Sequence, residues 1–406
     1  MDDSKRESLQ PAGIAALTFR ESEEAPPCET PRRLATLIRA AILVSAMYRG
    51  RRGREKHGVV DYDPYDGFST SKMRPPPRFS RRTSSTEDAA EAPLVQVAGH
   101  GMLERERPGV VRKLAVAREL AAYRTAPPDL ADHLPSFHGA DEVGDASDGG
   151  GGGRCGGGGL GSASKSGLGM ASIFIEDLTA GLRRPCVMDV KMGTRTFQEK
   201  VVDDPSRRTD MTKKIQDAHK SDPDLASEVA ESNLTEDEAE NGVTKVRYMQ
   251  WREMATTTHK HGWRIEGIVL APSGSDAPAA KVDVPKSLRK EKAMRDMLRK
   301  YLQKSPRHAR DLGEKLTRLR VALEASDWFA THEVVSSSLL CIYDAADPPR
   351  APPGVWMIDF ANCLPTKEKL NHRTPWSKGN HEEGYLLGLD DIIETFAYME
   401  KHAEAD

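Results

Sequence analysis

Cysteine is scarce in this sequence and is never spaced as a metal would need. The five cysteines (Cys28, Cys155, Cys186, Cys341 and Cys363) are scattered over 406 residues without a CxxC or Cys/His pair. That excludes an ordinary zinc site and fits free thiols in a reducing compartment. Long apolar runs are also missing. The longest, Ala40 to Met47, falls far short of the ~20 residues that cross a bilayer. The first residues, MDDSKRES, are charged, unlike a signal peptide. The expectation is a soluble intracellular protein without a transmembrane segment, cytoplasmic with or without a nuclear pool. An excess of either charge is lacking too: 59 Lys and Arg face 62 Asp and Glu, a formal net charge of -3. A histone-like or DNA-coating protein is thereby excluded, no nucleic-acid partner is expected, and any basic site must be a local patch. Apolar residues make up 38% and mean hydropathy is -0.59, with 33 glycines and 26 prolines. Part of the chain is too polar to build a core, while its length still allows a large core and more than one domain-sized unit.

The polar part is residues 1–92, where stretches such as PYDGFSTSKMRPPPRFSRRTSSTEDAAEAP have no apolar period of 2.0 or 3.6. This arm reads as a disordered tail. Within it, Leu34, Leu37, Ile38, Ala41 and Ile42 recur at helical spacing and are followed by YRGRRGR, which predicts a basic amphipathic helix over 32–54. Compact structure is expected from Pro93, with LVQVAGHG and GVVRKLAV as partner strands and VARELAAYRTAPP as a helix stopped by its prolines. The glycine tract within 148–169 lacks the GxxxxGK[ST] ending of a phosphate loop and reads as a surface insertion. Beyond it, MASIFIEDL and VMDVKMGTRTF read as strands, 210–220, 288–303 and 309–326 as helices, and 334–343 and 355–360 as strands. Strands, then a helical insert, then more strands and helices predict a two-lobed α+β protein.

Three places could carry chemistry. In PCVMDVKMG, Asp189 and Lys191 stand two apart on a strand, so a carboxylate and an ammonium share one face. In GVWMIDF, Asp359 interrupts an apolar strand, and a buried carboxylate there calls for a cation, with a divalent metal a natural partner. SSSLL puts Ser337 and Ser338 at the start of an apolar strand, where hydroxyls either shape a turn or reach a metal or phosphate. Basic residues gather in and around the insert (Arg195, Lys200, Arg207, Arg208, Lys213, Lys214, Lys245, Arg247, Arg252, Arg264). Acidic residues are plentiful there as well, so most of these suit a solvated helix face. The mixture RYMQWRE is different, and a polyanionic ligand would give it a purpose.

Taken together, PCVMDVKMG, VRYMQWRE, SSSLL, WMIDF and NHEEGYLLGLDDII resemble the inositol polyphosphate kinase family in kind, order and spacing, most closely its inositol 1,4,5-trisphosphate 3-kinase branch. The resemblance covers residues 93–400. It implies an α+β fold of two lobes related to protein kinases and ATP-grasp enzymes, an N-lobe over 93–185, and a helical inositol-phosphate-binding insertion over 195–262. It also implies the cofactors ATP and Mg2+, with transfer of a phosphoryl group to the 3-hydroxyl of inositol 1,4,5-trisphosphate. Residue by residue, Lys113 would hold the ATP phosphates, and Glu176, Asp177 and Leu178 would meet adenine through their backbone. Asp189 would orient or deprotonate the attacking hydroxyl, and Lys191 would bind the substrate or the transferring group. Asp359 and Ser338 would hold magnesium, while Arg208, Met211, Lys214, Tyr248 and Arg252 would line the inositol phosphate pocket.

Two departures from the branch bear on selectivity. Val269 stands where the branch has a lysine after RIEGI, and IDFANC, with Asn362, replaces IDFGKT. These changes motivate a broader inositol polyphosphate multikinase as an alternative, and a non-catalytic scaffold that binds inositol phosphates is a third reading. The 32–54 helix suits calmodulin or an anionic membrane surface, and the branch's use of calmodulin in animals adds to the first.

Overall fold

A computed structural model describes Val97 and residues 103–142, 170–229, 233–271 and 277–403. The arm with its expected helix at 32–54 and the glycine tract at 148–169 lie outside the described residues.

The first lobe is a four-stranded antiparallel sheet of β1 (Leu103–Arg107), β2 (Val110–Val116), β3 (Phe137–Glu142) and β4 (Met170–Glu176), in the order β1-β2-β4-β3. Along β2, Val111 and Ala115 are buried, and Lys113 lies between them on the same face. Helix α1 (Ala117–Thr125) follows at once and ends before Pro127 and Pro128, as its prolines predict. The expected partnership of β2 with 94–101 is corrected. β2 pairs with β1 and β4, and Val97, the one described residue of 94–101, is in no strand.

Residues 177–184 lead into the second lobe. Its strands are β5 (Pro185–Met192), the short β6 (Arg207–Arg208) and β7 (Val243–Thr244), β8 (Trp263–Leu270), β9 (Ala280–Val282), β10 (His332–Val334), β11 (Ser338–Asp344), β12 (Gly354–Ile358) and β13 (Cys363–Pro365). Five form an antiparallel sheet, β12-β11-β5-β8-β9, with β5 at its centre. Cys186, Met188, Val190 and Met192 on one face of β5 join the main hydrophobic cluster. That cluster takes in Leu298 and Tyr301 of α5 (Glu291–Tyr301), Leu312, Leu316 and Leu319 of α6 (Pro306–Ala325), and Leu389, Ile392 and Phe396 of α7 (Tyr385–Lys401). Each such side chain contributes about 1.5–3 kcal/mol on burial. The opposite face of β5 carries Val187, Asp189 and Lys191 and is free for chemistry.

Between β5 and β8 the chain folds the expected insert from α2 (Thr209–Ser221), α3 (Glu236–Asn241) and α4 (Lys245–Met254), with β6 paired to β7. The insert has its own small core of Met211, Ile215, Leu225, Val243, Trp251 and Ala255. The α+β expectation therefore holds for the described residues. Two strand expectations are corrected. The run 334–343 breaks at Ser336, whose φ of 57° ends β10 before β11 begins, and Asp359 lies past the end of β12 with a φ of 65°. A left-handed residue cannot continue a ladder.

Candidate active site

Side chains from both sheets reach Asp359. In the five-stranded sheet Lys191 of β5 pairs with Ser338 of β11, and Ser338 pairs with Ile358 of β12, so Asp359 falls one residue beyond this row. Its left-handed turn brings the carboxylate back over the sheet. There Lys113 of the first lobe donates to its Oδ1 at 2.6 Å, and Lys191 lies 3.6 Å from its Oδ2. Burial works against ionising Asp359, yet Lys113 and Lys191 outweigh it and hold its pKa below the usual carboxylate value. Lys191 also donates to the carbonyl of Ser336 at 2.9 Å. Two non-glycine residues in left-handed conformation, Ser336 and Asp359, thus flank the same lysine, as backbone strain at functional sites would have it.

Lys113 has a second carboxylate partner that sequence reasoning missed. Glu119, on the first turn of α1, is buried and accepts from Lys113 Nζ at 2.7 Å. Burial raises the Glu119 pKa, and Lys113 and the backbone of Phe360 oppose the rise. Burial also disfavours the lysine's charge, but Glu119 and Asp359 more than offset this and lift its pKa above that of a free lysine. The ammonium is therefore charged and aimed. The signal available in sequence was the six-residue step from Lys113 to Glu119, which a strand running straight into a helix brings together.

Asp189 faces this cluster from β5 and is 4% exposed. Among the described residues its Oδ1 has no hydrogen-bond partner, and neither has the fully buried Ser338 hydroxyl. Burial pushes the Asp189 pKa up to about 6; Lys191 opposes the shift, Asp359 adds to it and Ser338 opposes it. Such a group is ionised at neutral pH and basic enough to take a proton. The Ser338 hydroxyl, which has no partner among the described residues, and the Asp359 carboxylate are hard oxygen donors that suit Mg2+. Among the described residues no three His, Cys, Asp or Glu side chains are grouped to hold a metal.

Glu176 and Asp177, expected to meet adenine, are engaged within the protein. The Glu176 side chain accepts from the Ser136 amide and hydroxyl, and Asp177 Oδ1 accepts from the Thr179 amide and hydroxyl. The amides of Glu176 and Asp177 donate to the carbonyls of Ser136 and Gly109, which leaves the Leu178 amide without a described backbone partner.

The basic residues of the insert divide into two sets. Arg208 is exposed and donates twice to Asp210 at 2.9 Å; Lys214 lies 3.6 Å from Asp210 and 5.8 Å from the Tyr248 ring centre. Tyr248 and Arg252 are one turn apart on α4 and share its face. Arg252 donates at 2.8 Å to Glu266 of β8. Asp210 thus links Arg208 to Lys214, the Tyr248 ring lies near Lys214, and Glu266 links Arg252 to the five-stranded sheet. Met211 is packed in the insert's core. The second set is structural. Arg247 is taken up by Glu238 and the Asn233 carbonyl, and Arg195, 2% exposed, by Glu333 and the carbonyls of Glu382, Phe197 and His381. Glu253 of α4, also missed, accepts from the Thr196 amide at 2.6 Å and hydroxyl at 2.8 Å, which ties the insert to the loop after Lys191. Val269 is buried opposite Val187, on the Asp189 face of the sheet.

Comparison with known proteins identifies the family. The family model for inositol polyphosphate kinase matches residues 172–397. Inositol-trisphosphate 3-kinase A of Mus musculus is 38% identical over 237 residues, which is 57% of this chain and 47% of the relative. Inositol-trisphosphate 3-kinase B of Homo sapiens is 36% identical over 235 residues (56% and 23%), and the inositol-trisphosphate 3-kinase homolog of Caenorhabditis elegans 34% over 242 (57% and 44%). The chain thus spans about half, or less, of the length of these curated relatives. The crystal structure of inositol phosphate multikinase Ipk2 from S. cerevisiae, in complex with ADP and Mn2+, superposes with a TM-score of 0.44 at 15% identity, over 72% of this chain and 99% of that one. With the family model matching more than half of its residues, the chain belongs to the inositol polyphosphate kinase family.

Proposed function

We propose that the protein is an ATP-dependent kinase that phosphorylates the 3-hydroxyl of inositol 1,4,5-trisphosphate to give the 1,3,4,5-tetrakisphosphate. The observation that carries the reading is the convergence of Lys113, Lys191 and Asp359 beside the buried, unpartnered Asp189 oxygen. The likeness to inositol-trisphosphate 3-kinases supports the choice of substrate, and the matched residues 172–397 include Asp189, Lys191 and Asp359.

Phosphoryl transfer asks for positioning and for positive charge around the moving group rather than covalent work by the protein. ATP supplies the phosphoryl group when bound, and Mg2+ screens its phosphates. Asp359 and Ser338 would hold the ion, Lys113 the phosphates, and Glu176 to Leu178 the adenine. Lys113, fixed from behind by Glu119, reaches the site as a charged donor. Lys191 is within reach of the same carboxylate and can follow the charge as it moves. Asp189 accepts the proton of the attacking hydroxyl, a role for which its raised pKa suits it. Arg208, Lys214 and Arg252 supply charge-assisted bonds worth about 1.5–3 kcal/mol each, so together they suffice to select a trisphosphate.

Val269 and Asn362 favour a second reading, a multikinase that goes on to higher phosphates, because position 269 offers no cation on the Asp189 face. Incubation with ATP, Mg2+ and each of the tris-, tetrakis- and pentakisphosphates, with products resolved by position, separates the two. A single phosphate added at the 3-hydroxyl supports the narrow reading and sequential addition the broad one. Binding without ATP consumption would leave a scaffold and refute both.

A further inference from the structure

We infer that Glu266 is a positioning residue for the acceptor substrate: it holds the Arg252 guanidinium in place for a substrate phosphate and locks the insert onto the strand beside Asp189. The inference rests on the kinase reading above and deepens it. In the ladder between β5 and β8, Asp189 pairs with Gly267 and Val190 with Ile265, so Glu266 is an extra residue bulged out of the pairing. A bulge of this kind re-aims a side chain next to a site. Here it sends a carboxylate between two guanidinium groups. Glu266 accepts from Arg252 Nη2 at 2.8 Å through one oxygen and from Arg264 Nε at 3.0 Å through the other.

The two arginines are held differently. Arg264 is buried and also donates to the Thr258 hydroxyl at 3.1 Å, so it is fixed within the protein. The Arg252 side chain is 35% exposed, and with one described donor on Glu266 it retains others for a phosphate. Burial disfavours the Glu266 charge, but Arg264, Arg252 and Lys191 outweigh it and keep the group ionised. Without that charge Arg252 and Arg264 would repel each other at close range, and Arg252, the more exposed, would swing away. Glu266 thus acts through Arg252, while Lys113 and Glu119 on the nucleotide side are held by other partners.

The test measures KM for inositol 1,4,5-trisphosphate and for ATP in the wild type, Glu266→Gln, Glu266→Ala, Arg252→Ala and the double variant. The expected result is a rise in trisphosphate KM of roughly 10- to 100-fold for Glu266→Ala, with ATP KM within about twofold. Glu266→Gln, which keeps a hydrogen-bond acceptor, should recover part of the loss, and the double variant should be little worse than Arg252→Ala alone. Unchanged trisphosphate KM, an equal rise in both KM values, or full additivity with Arg252→Ala would overturn the inference. If Glu266→Ala does not fold, Glu266→Gln is judged by the same criteria. A wild type that turns over no inositol phosphate would refute the kinase reading alone, and calorimetric titration of the same variants with the trisphosphate would then read the same coupling without turnover.

Discussion

Replacing Gly388 with alanine should destabilise the protein by about 3 kcal/mol and disturb the catalytic strand with it. Gly388 lies in the first turns of α7, where a Cβ would overlap the carbonyl oxygen of Gly262 and stand 2.7 Å from its carbon. Gly262 cannot easily retreat, since it holds a left-handed turn at φ 69° and a Cβ there would stand 2.8 Å from Gly388 in turn. Its carbonyl is also the acceptor, at 2.8 Å, for the amide of Gly193, which ends the DVKMG strand. Overpacking against backbone costs up to about 3 kcal/mol, a lost backbone bond adds about 1 kcal/mol, and the better helix propensity of alanine returns about 1 kcal/mol. The net of about 3 kcal/mol corresponds to a drop in Tm of about 6–12 °C for a domain of this size. Urea denaturation of wild type and variant measures it. The control is Gly313→Ala in the middle of α6, where a Cβ would meet only the Phe396 Cβ at 3.6 Å, an ordinary contact. That change should be neutral or stabilising by up to about 1 kcal/mol. Equal stabilities for Gly388→Ala and wild type, or a Gly313→Ala variant as damaged as Gly388→Ala, would refute the close-approach argument.

Asp189→Asn and Asp359→Asn should each lower turnover by at least ~10²-fold, and normal turnover in both would remove these carboxylates from the mechanism. Glu253 gives a pH signature: burial lifts its pKa from 4.5 to about 7 against the opposing Thr196 bonds and the charges of Arg264 and Arg195. Because the folded state binds this proton more tightly than the unfolded chain, the contribution is complete below pH 4.5 and is lost as pH rises towards about 7. Wild type should therefore lose up to ~3 kcal/mol relative to Glu253→Gln across that range, and parallel stability curves for the two would contradict it. Deleting residues 31–56 should abolish calcium-dependent capture by calmodulin, and capture that survives the deletion would remove that assignment.

The legible parts of the site were those set by strand and helix period. Asp189 and Lys191 two apart on β5, the helix after Lys113 and α2 within the insert all follow from local pattern, whereas the α4 helix that carries RYMQWRE is not among those expectations. The ends of strands were not legible. The apolar run through Trp356, Met357, Ile358 and Phe360 gives no hint that Asp359 turns left-handed, yet that turn is what lets one carboxylate meet lysines from both lobes. Glu119, Glu253 and Glu266 were hidden for another reason. A lone glutamate among largely apolar neighbours, as in VARELAAY and RIEGIVL, gives no sign of its partner, and what holds these three buried or half-buried is mainly cations and amides contributed by other elements. Nor does WRIEGI reveal a bulge, because the extra residue is defined only against β5.

The segment from His372 to Asp391, which includes most of NHEEGYLLGLDDII, is tied to the rest of the second lobe by polar contacts. The Glu383 carbonyl accepts from the amides of Thr194 and Arg195 at 2.7 and 3.2 Å, just after the DVKMG strand. His372, buried, is held between the Glu383 carboxylate and the Phe329 carbonyl. Asp391 accepts from His261 and from the Trp263 indole, which fixes the far end of the insert where β8 begins. Arg195 commits its Nε and both terminal nitrogens to this frame and cannot also serve a substrate phosphate. The motif therefore holds the two ends of the insert against α7, and through them sets where Lys191 and Arg252 stand.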